Sequence, residues 1–229
     1  MQGIALYGEL YTYIPVEGSA DDAEEYHAQY GDAVSSDNIV DMLRYAEDDD
    51  SIKAILIEVD SGGGSPVAGE EVASAIAGLT KPVVAVIRQS GMSAAYWAVS
   101  SADMVFASRN SDVGSIGVTA SYIEMIDQSG RYIDLSSGKF KDTGSSEKPL
   151  SEEERTLLMR DIKIVHENFI EDIAKYRDLA LEQVKAIADG SSVLGDRAKE
   201  LGLIDEIGNS TSAQTFIEEY IEEDAEVCW

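Results

Sequence analysis

Residues 54–107 read AILIEVDSGGGSPVAGEEVASAIAGLTKPVVAVIRQSGMSAAYWAVSSADMVFA, and this stretch decides the fold. Two apolar runs of strand length are each followed by a glycine break and then by a segment of helical composition. The strands are predicted at 54–59 and 82–87, the helices at 66–79 and 93–102, and a third strand at 104–107. This alternation predicts an α/β fold with βαβ units around a buried, mostly parallel sheet.

Helical signals also flank this stretch. A helix near 37–47 is predicted with Asp37 as its N-cap, and a long amphipathic helix is predicted at 151–177. Ser151 and Glu154 have the spacing of a capping box at the start of the long helix. Shorter elements are predicted after it: helices at 181–189 and 195–202 and a strand at 203–207.

The chain divides by composition into an N-terminal strand region (1–16), an acidic segment with a short helix (17–52), a core (53–208) and an acidic C-terminal tail (209–229). The tail is expected to fray from Glu218 onward, because chain ends usually do. Neither an internal repeat nor a Pro/Ser-rich linker interrupts the core, which predicts a single domain.

The chain is strongly acidic, since 44 Asp and Glu residues against 17 Lys and Arg give a formal net charge of -27 in 229 residues. Such a surface repels phosphate groups, so nucleic acid is not expected as a partner and anionic membranes are disfavoured. Hydrophobic residues make up 44% of the chain, which is enough for a packed core and excludes wholesale disorder.

A single cysteine, Cys228, excludes an internal disulfide and a cysteine-based zinc site. Neither His27 nor His166 has the spacing of a metal motif, so no metal and no cofactor is expected. The sequence has no run of about 18 apolar residues, and its start, MQGIALYGEL, lacks the basic region of a signal peptide. The chain as given is expected to be soluble, or membrane-associated if an N-terminal anchor has been removed.

The first glycine turn, DSGGGS at 60–65, follows a strand and precedes a helix. Backbone N–H groups at the start of a helix have no partner in the helix and can hold a phosphate or an oxyanion. The turn lacks the Gly-Lys-Ser/Thr of a P-loop and does not follow the Rossmann pattern. By itself it is equally typical of a plain structural turn.

The second turn, SGMSAAYW at 90–97, also joins a strand to a helix. Ser93 is a candidate nucleophile there, because the positive end of the helix dipole favours an alkoxide-like charge. The same position suits a serine that only caps the helix. The residues alone leave both interpretations open.

A serine nucleophile needs a base. The two histidines stand away from both glycine turns, which favours structural or solvent-exposed roles for them. A lysine can serve instead if burial lowers its pKa from about 10.4 to about 7–8 and so makes it neutral. Lys139 and Lys141 lie in a glycine- and serine-rich segment, SSGKFKDTGS at 136–145, although an exposed lysine is the commoner case.

Five segments, taken together and in order, resemble the signal peptide peptidase A type proteases of peptidase family S49, in the ClpP/crotonase superfamily. They are DSGGGSP at 60–66, SGMSAAYWAVSSADMVFAS at 90–108, VGSIGV at 113–118, SSGKFKDTGS at 136–145 and DGSSVLGDRAKELGLIDEIG at 189–208. The resemblance implies ClpP/crotonase-like repeated ββα units around a parallel sheet core in a single domain, with several chains assembled into a ring-shaped oligomer.

Carried over position by position, the resemblance implies that Ser93 is the nucleophile of a serine endopeptidase. Lys141, the lysine before the aspartate of S-G-x-x-K-D, matches the general base, and Ser115 matches the residue that orients this lysine. The oxyanion hole would consist of backbone N–H groups, those of Gly63 or Gly64 and of Ala94. Neutral Lys141 would take the proton of Ser93, and the alkoxide would attack a peptide carbonyl to give an acyl-enzyme that water hydrolyses.

The chain departs from the family pattern at both turns. Asp60 and Gly62 replace the Asn and Pro of the first turn, and Ala94 and Ala95 replace two glycines after the nucleophile. The hole uses backbone donors, so no reacting group is lost. The added methyl groups are expected to narrow the substrate cleft.

Single-domain members of the family form ring- or dome-shaped oligomers in which the lysine serves a neighbouring subunit's serine. The resemblance therefore implies a homo-oligomer, an octamer by family analogy, with active sites at subunit interfaces. Its substrates would be signal peptides or other unfolded peptides. A phage procapsid-maturation protease of the same family and a catalytically inactive scaffold of the same fold are the alternatives.

Two further alternatives are weaker. A crotonase-type acyl-CoA enzyme usually employs acidic catalytic residues, for which no candidate stands beside Ser93, and the net charge disfavours an anionic thioester. A ClpP-like Ser-His-Asp peptidase needs a histidine some two dozen residues after the serine, and positions 110–125 contain none.

Overall fold

The computed structural model describes residues 1–12, 33–121, 137–146 and 148–229. They divide into two compact units, one formed by 1–117 with 169–229 and the other by 118–168. The expectations for His27 and for the acidic segment before residue 33 lie outside the described residues.

The helices and strands alternate over the stretch at 54–107 as predicted. In chain order the strands are β1 (Gln2–Tyr7), β2 (Glu9–Tyr11), β3 (Ala33–Ser35), β4 (Ile55–Ser61), β5 (Val83–Met92), β6 (Met104–Ala107), β7 (Asp112–Gly114), β8 (Ser192–Leu194) and β9 (Glu206–Ile207). The helices are α1 (Ser36–Asp48), α2 (Pro66–Ala77), α3 (Ala94–Val99), α4 (Glu152–Tyr176), α5 (Leu181–Lys185), α6 (Gly195–Glu200) and α7 (Ser210–Ile221).

The first unit is built on a sheet in which β1, β4, β5, β6 and β9 lie side by side in that order, with every pair parallel. β7 continues the sheet at the end of β5, in parallel, and pairs antiparallel with β8. A small second sheet pairs β2 with β3. The apolar runs of β4 and β5 are buried, which is what a parallel core requires. The predicted α/β class with a parallel sheet core is confirmed.

The cap of α1 differs from the prediction. The N-cap is Ser35, whose hydroxyl accepts a hydrogen bond from the Asn38 N–H at 3.2 Å. Asp37, predicted to be the cap, lies in the first turn of the helix, where its negative charge still interacts favourably with the positive end of the helix dipole. Both residue types cap helices well, so the sequence did not distinguish two candidates two positions apart.

The C-terminal tail, expected to fray, is ordered. Residues 210–221 form α7, which opens with a capping box between Asn209 and Ser212. Ala213 and Ile217 of this helix are buried against the apolar face of β4, β5 and β6. Further on, the Gly3 N–H donates to the Cys228 carbonyl at 2.7 Å, which extends the edge of β1. The acidic composition concealed an amphipathic helix and a backbone pairing with the other end of the chain.

Helix α3, which follows the candidate nucleophile, is completely buried. The Trp97 ring stacks on Phe169 of α4 with centroids 4.5 Å apart, and its indole N–H donates to Asp172 at 2.9 Å. The Tyr96 hydroxyl donates to the Leu203 carbonyl at 2.8 Å, and burial raises the pKa of this phenol. Stacking and hydrogen bonding therefore fix α3 from two sides.

In the second unit, the capping box predicted for the long helix is present. The Glu154 N–H donates to the Ser151 hydroxyl at 3.2 Å, and the Ser151 N–H donates to the Glu154 carboxylate at 2.9 Å. Each side chain thus satisfies a backbone donor that the start of α4 leaves without a partner. None of the helices in the described ranges is both long and apolar enough to cross a membrane.

Replacing Phe169 tests the packing behind α3. Phe169→Ala is expected to lower the free energy of unfolding by about 3–5 kcal/mol, because it removes a buried ring and leaves a cavity under Trp97. Met159→Ala, on the same helix but with 43% of the side chain exposed, serves as the control. The control is expected to cost less than about 1 kcal/mol. Urea denaturation followed by circular dichroism measures both, and equally small losses would contradict this packing.

Candidate active site

Ser93 lies at a sharp turn between a strand and a helix. β5 ends at Met92 and α3 begins at Ala94, so Ser93 alone connects them. Its backbone has φ 51° and ψ −128°, which is rare for a residue with a side chain and costs on the order of 1–3 kcal/mol. A strained serine between a strand and a helix is the arrangement that α/β-hydrolases use for a nucleophile.

The surrounding backbone holds this strained conformation. The Ser93 N–H donates to the Gly114 carbonyl at the end of β7, at 2.7 Å. The Ser93 carbonyl accepts from the Trp97 N–H at 2.9 Å, which starts α3. A hydroxyl that merely capped the helix would accept a backbone N–H of α3, and the described structure contains no such bond. This favours a nucleophilic role for Ser93 over a capping one.

The first glycine turn lies against Ser93. A methyl group placed on Gly63 would come within 2.8 Å of the Ser93 Cβ and 3.2 Å of its Oγ. Gly63 also has φ +121°, a conformation that side chains rarely adopt. Only glycine fits here on both grounds. The two turns singled out in the sequence, at 60–65 and 90–97, therefore meet at the serine hydroxyl.

The backbone N–H groups of the first turn differ in their availability. Gly63 is buried, and its N–H donates to the Ser61 hydroxyl at 3.2 Å. The pairing of this turn with Leu10 uses the Gly63 carbonyl and the Ser65 N–H, at 2.9 and 2.7 Å. The Gly64 N–H takes no part in that pairing, and Gly64 is exposed.

The Ala94 N–H is the second available donor. Ala94 is the first residue of α3, where an N–H has no acceptor within the helix. The methyl groups of Ala94 and Ala95 are in the interior, with exposures of 2% and 0%. With so little exposure they do not line an open cleft, so the expected narrowing of the cleft by these groups was wrong.

Ser115 lies close to the nucleophile through the backbone. It follows Gly114, whose carbonyl binds the Ser93 N–H, and it also has a positive φ of 49°. Its hydroxyl donates to the Gly190 carbonyl at 2.9 Å, and its N–H donates to the Ser191 carbonyl at 3.1 Å. A hydroxyl oxygen that donates its proton in this way can still accept a hydrogen bond from an amine.

Lys141 lies in the second unit, in a turn at 137–146, and is exposed. Its neighbour Lys139 forms an ion pair with Glu153 at 2.7 Å, whereas Lys141 has no ion-pair partner in the described part of the chain. His166 belongs to the same unit, and its buried Nε2 has no hydrogen-bond partner among the described residues. The first unit thus brings together Ser93 and the predicted oxyanion and orienting residues, and the second carries the predicted base.

Sequence reasoning missed the residues that shape the first turn. Ser61 donates its hydroxyl to the Gly8 carbonyl at 2.5 Å and accepts the Gly63 N–H, so it joins β4, the glycine turn and the chain after β1. The serine before three glycines was a visible signal for such a role. The contact of the turn with Leu10 was not, because more than fifty positions separate the partners. In the described ranges no group of three or more His, Cys, Asp or Glu side chains is placed to hold a metal ion.

Comparison with known proteins assigns the family. The model of Peptidase family S49 matches residues 77–223, which is more than half of the chain. The chain belongs to peptidase family S49. A Methanocaldococcus jannaschii protein named as a protease is 34% identical over 186 residues, which cover 79% of this chain and 60% of that protein. Protease 4 of Haemophilus influenzae is 32% identical over 215 residues, which cover 91% of this chain and 34% of that protein. The chain therefore spans between about a third and three fifths of these relatives.

A solved structure supports the fold. A ClpP1 mutant from Listeria monocytogenes matches with a TM-score of 0.56 over 92% of this chain and 93% of that one. At 17% sequence identity, this likeness concerns the fold alone. The predicted ClpP/crotonase-like fold and the resemblance to the S49 family are both confirmed.

A pair of glycine substitutions tests the approach of the first turn to Ser93. Gly63→Ala is expected to lower peptide hydrolysis about 100-fold or more, because the new methyl group displaces the serine from its position. Gly62→Ala is the matched control, since a methyl group there meets nothing within 4 Å. Hydrolysis of a fluorogenic peptide measures both, with circular dichroism as a check on folding. Equal activity of the two folded variants would contradict the described contact.

Proposed function

We propose that this S49 chain is a serine endopeptidase that hydrolyses signal peptides or other unfolded peptides through an acyl-enzyme. The observation that carries the proposal is the strained Ser93, whose hydroxyl lies against Gly63 between two turns with available backbone donors. In this mechanism the Ser93 oxygen attacks the peptide carbonyl and forms a tetrahedral oxyanion. Collapse of that intermediate releases the amine product, and water then hydrolyses the ester.

In this proposal the Gly64 and Ala94 N–H groups form the oxyanion hole. Gly64 follows Gly63, which contacts the nucleophile, and Ala94 follows the nucleophile itself. The Gly64 N–H takes no part in the strand pairing, and the Ala94 N–H has no acceptor within α3. Gly63 was an equal candidate in the sequence. Its N–H is already bound to Ser61, so its role here is to let the backbone approach Ser93. Donors fixed before the reaction stabilise the oxyanion without reorganising during it.

Lys141 acts as the general base in this mechanism, and Ser115 orients its amine. The lack of an ion-pair partner among the described residues supports Lys141 over Lys139, because the Lys139 amine is already engaged with the Glu153 carboxylate. Ser115 follows Gly114, whose carbonyl binds the Ser93 N–H, and its hydroxyl can accept a hydrogen bond from the amine. After attack, the protonated lysine gives its proton to the leaving amine, as general acid–base catalysis requires.

A general base has to be neutral, and burial disfavours the charged form of a lysine. Lys141 is exposed in the single chain. We therefore place the active site at an interface of a homo-oligomer, where Lys141 serves the Ser93 of a neighbouring chain; eight subunits is the number that the family resemblance suggests. The first half of α4 supports such contacts, since its apolar residues are only partly covered. Leu158, Ile162 and Val165 are half-buried, and Met159 and Ile164 are exposed.

The inactive scaffold is the remaining alternative from another functional class. It would need no strained backbone at Ser93, and strain of this kind persists where function uses it. A fluorophosphonate probe that labels Ser93 in the wild type and not in Ser93→Ala supports the enzyme. Absence of labelling in the folded wild type supports the scaffold.

Separate and mixed variants test the shared site. Ser93→Ala and Lys141→Ala are each expected to lose about 1000-fold or more in peptide hydrolysis, because each removes a reacting group. In a fully exchanged equal mixture, about a quarter of the sites combine an intact serine with an intact lysine, so about a quarter of wild-type activity is expected to return. Native mass spectrometry verifies that the subunits have exchanged.

The control for this experiment is Lys139→Ala, which is expected to keep most of the activity because Lys139 is engaged with Glu153. Full activity of Lys141→Ala would contradict the mechanism. Loss in both variants without recovery in a verified mixture would instead place the two residues within one chain.

A further inference from the structure

The turn that carries Lys141, defined here as residues 138–145, is held by its own backbone. Three N–H groups in it bond the carbonyl three positions back, at 3.1–3.3 Å. The donors are Lys141, Thr143 and Ser145, and the acceptors are Gly138, Phe140 and Asp142. These local bonds give the turn a shape but do not attach it to the rest of the unit. Ion pairs of side chains in and beside the turn provide such an attachment.

Lys148 makes such an attachment. Its ammonium lies 2.9 Å from the carboxylate of Asp142, the residue next to Lys141, and 2.7 Å from that of Glu154. Glu154 is almost completely buried in the first turn of α4, where it also accepts the Ser151 N–H and hydroxyl. One ammonium therefore joins the turn of Lys141 to the capping box of the long helix.

The Lys148–Glu154 part of this bridge is ionised at neutral pH. The hydrogen bonds from Lys148 and from Ser151 lower the pKa of Glu154 to about 2. The hydrogen bonds to Glu154 and Asp142 raise the pKa of Lys148. Charge-assisted hydrogen bonds of this kind are short and directional, so the bridge constrains geometry as well as charge.

The ion pair on the other side of Lys141 has a different character. Lys139 and Glu153 are each about two-thirds exposed, and exposed pairs contribute little because water competes for both charges. The bridge differs because one of its carboxylates is buried and has further hydrogen bonds. Lys139 is thus a matched control, close to Lys141 in sequence and paired with the same turn of α4.

We propose that Lys148 is a positioning residue for Lys141, fixing the turn at 138–145 on the start of α4 through Asp142 and Glu154. This inference rests on the proposed role of Lys141 as the general base. Lys148 does not touch the reacting atoms. A base that moves by about 1 Å loses on the order of 100-fold in rate, so the anchoring of the turn affects the chemical step directly.

Asp142→Asn is the sharpest variant, because it weakens only the link to the turn and leaves the Lys148–Glu154 pair and the capping box intact. We expect kcat to fall about tenfold, with KM changed less than about threefold, since the base and not the substrate site is displaced. Removing a negative charge beside Lys141 would by itself favour its neutral form and raise the rate at lower pH. A fall in kcat therefore reports position and not charge.

Lys148→Met is expected to lower kcat at least as much, and Lys148→Arg, which can still pair with both carboxylates, to restore most of it. Lys139→Met is expected to leave kcat within about twofold of the wild type. Urea denaturation and native mass spectrometry of every variant separate these effects from unfolding or loss of assembly.

Lys141→Ala, measured alongside, distinguishes the two proposals. If Lys141→Ala keeps its activity, the proposed function fails. If Lys141→Ala is inactive while Asp142→Asn and Lys148→Met keep the wild-type kcat, the positioning role is overturned and the Ser-Lys mechanism stands. If Lys148→Met does not fold or assemble, Asp142→Asn decides: a kcat equal to that of the wild type overturns the inference.

Discussion

The hydrogen bond from the Ser93 N–H to the Gly114 carbonyl is the interaction on which the candidate site depends. Ser93 holds an unfavourable backbone conformation, and a turn of this kind relaxes unless its surroundings prevent it. The bond anchors the turn to β7 at the point where β7 continues the sheet beside β5. Because Ser115 follows Gly114, the same bond also holds the backbone of the residue proposed to orient the base next to the nucleophile turn.

The rest of the first unit opposes relaxation of this turn from the other side. Helix α3 cannot shift without separating the Trp97–Phe169 stack and breaking the bond from Tyr96 to Leu203. The approach of Gly63 adds a steric limit, since even a methyl group on Gly63 would come within 2.8 Å of the Ser93 Cβ. The buried sheet and helices thus offset the strain at one residue. The site is consequently rigid where the nucleophile sits.

Elements that depend on local sequence signals were predicted well, whereas contacts between distant residues were not. The strands of the parallel core follow from runs of apolar residues between glycines, and the capping box of Ser151 and Glu154 follows from spacing alone, so both were confirmed. The meeting of the two glycine turns was expected only from the family resemblance. Neither the pairing of Gly64 with Leu10 nor that of Gly3 with Cys228 was foreseen, because backbone pairs across long separations have no signature in composition.

The two halves of the proposed site differ in how completely one chain builds them. The serine side is assembled within the first unit, with its donors and strain in place. The lysine side has a fixed turn, anchored through Lys148, but its amine is exposed. A lysine needs burial to act as a neutral base, so under the proposed mechanism the single chain holds a prepared nucleophile and an unprepared base. Under the proposed mechanism, assembly supplies the missing burial, and peptide hydrolysis is therefore coupled to the formation of the oligomer.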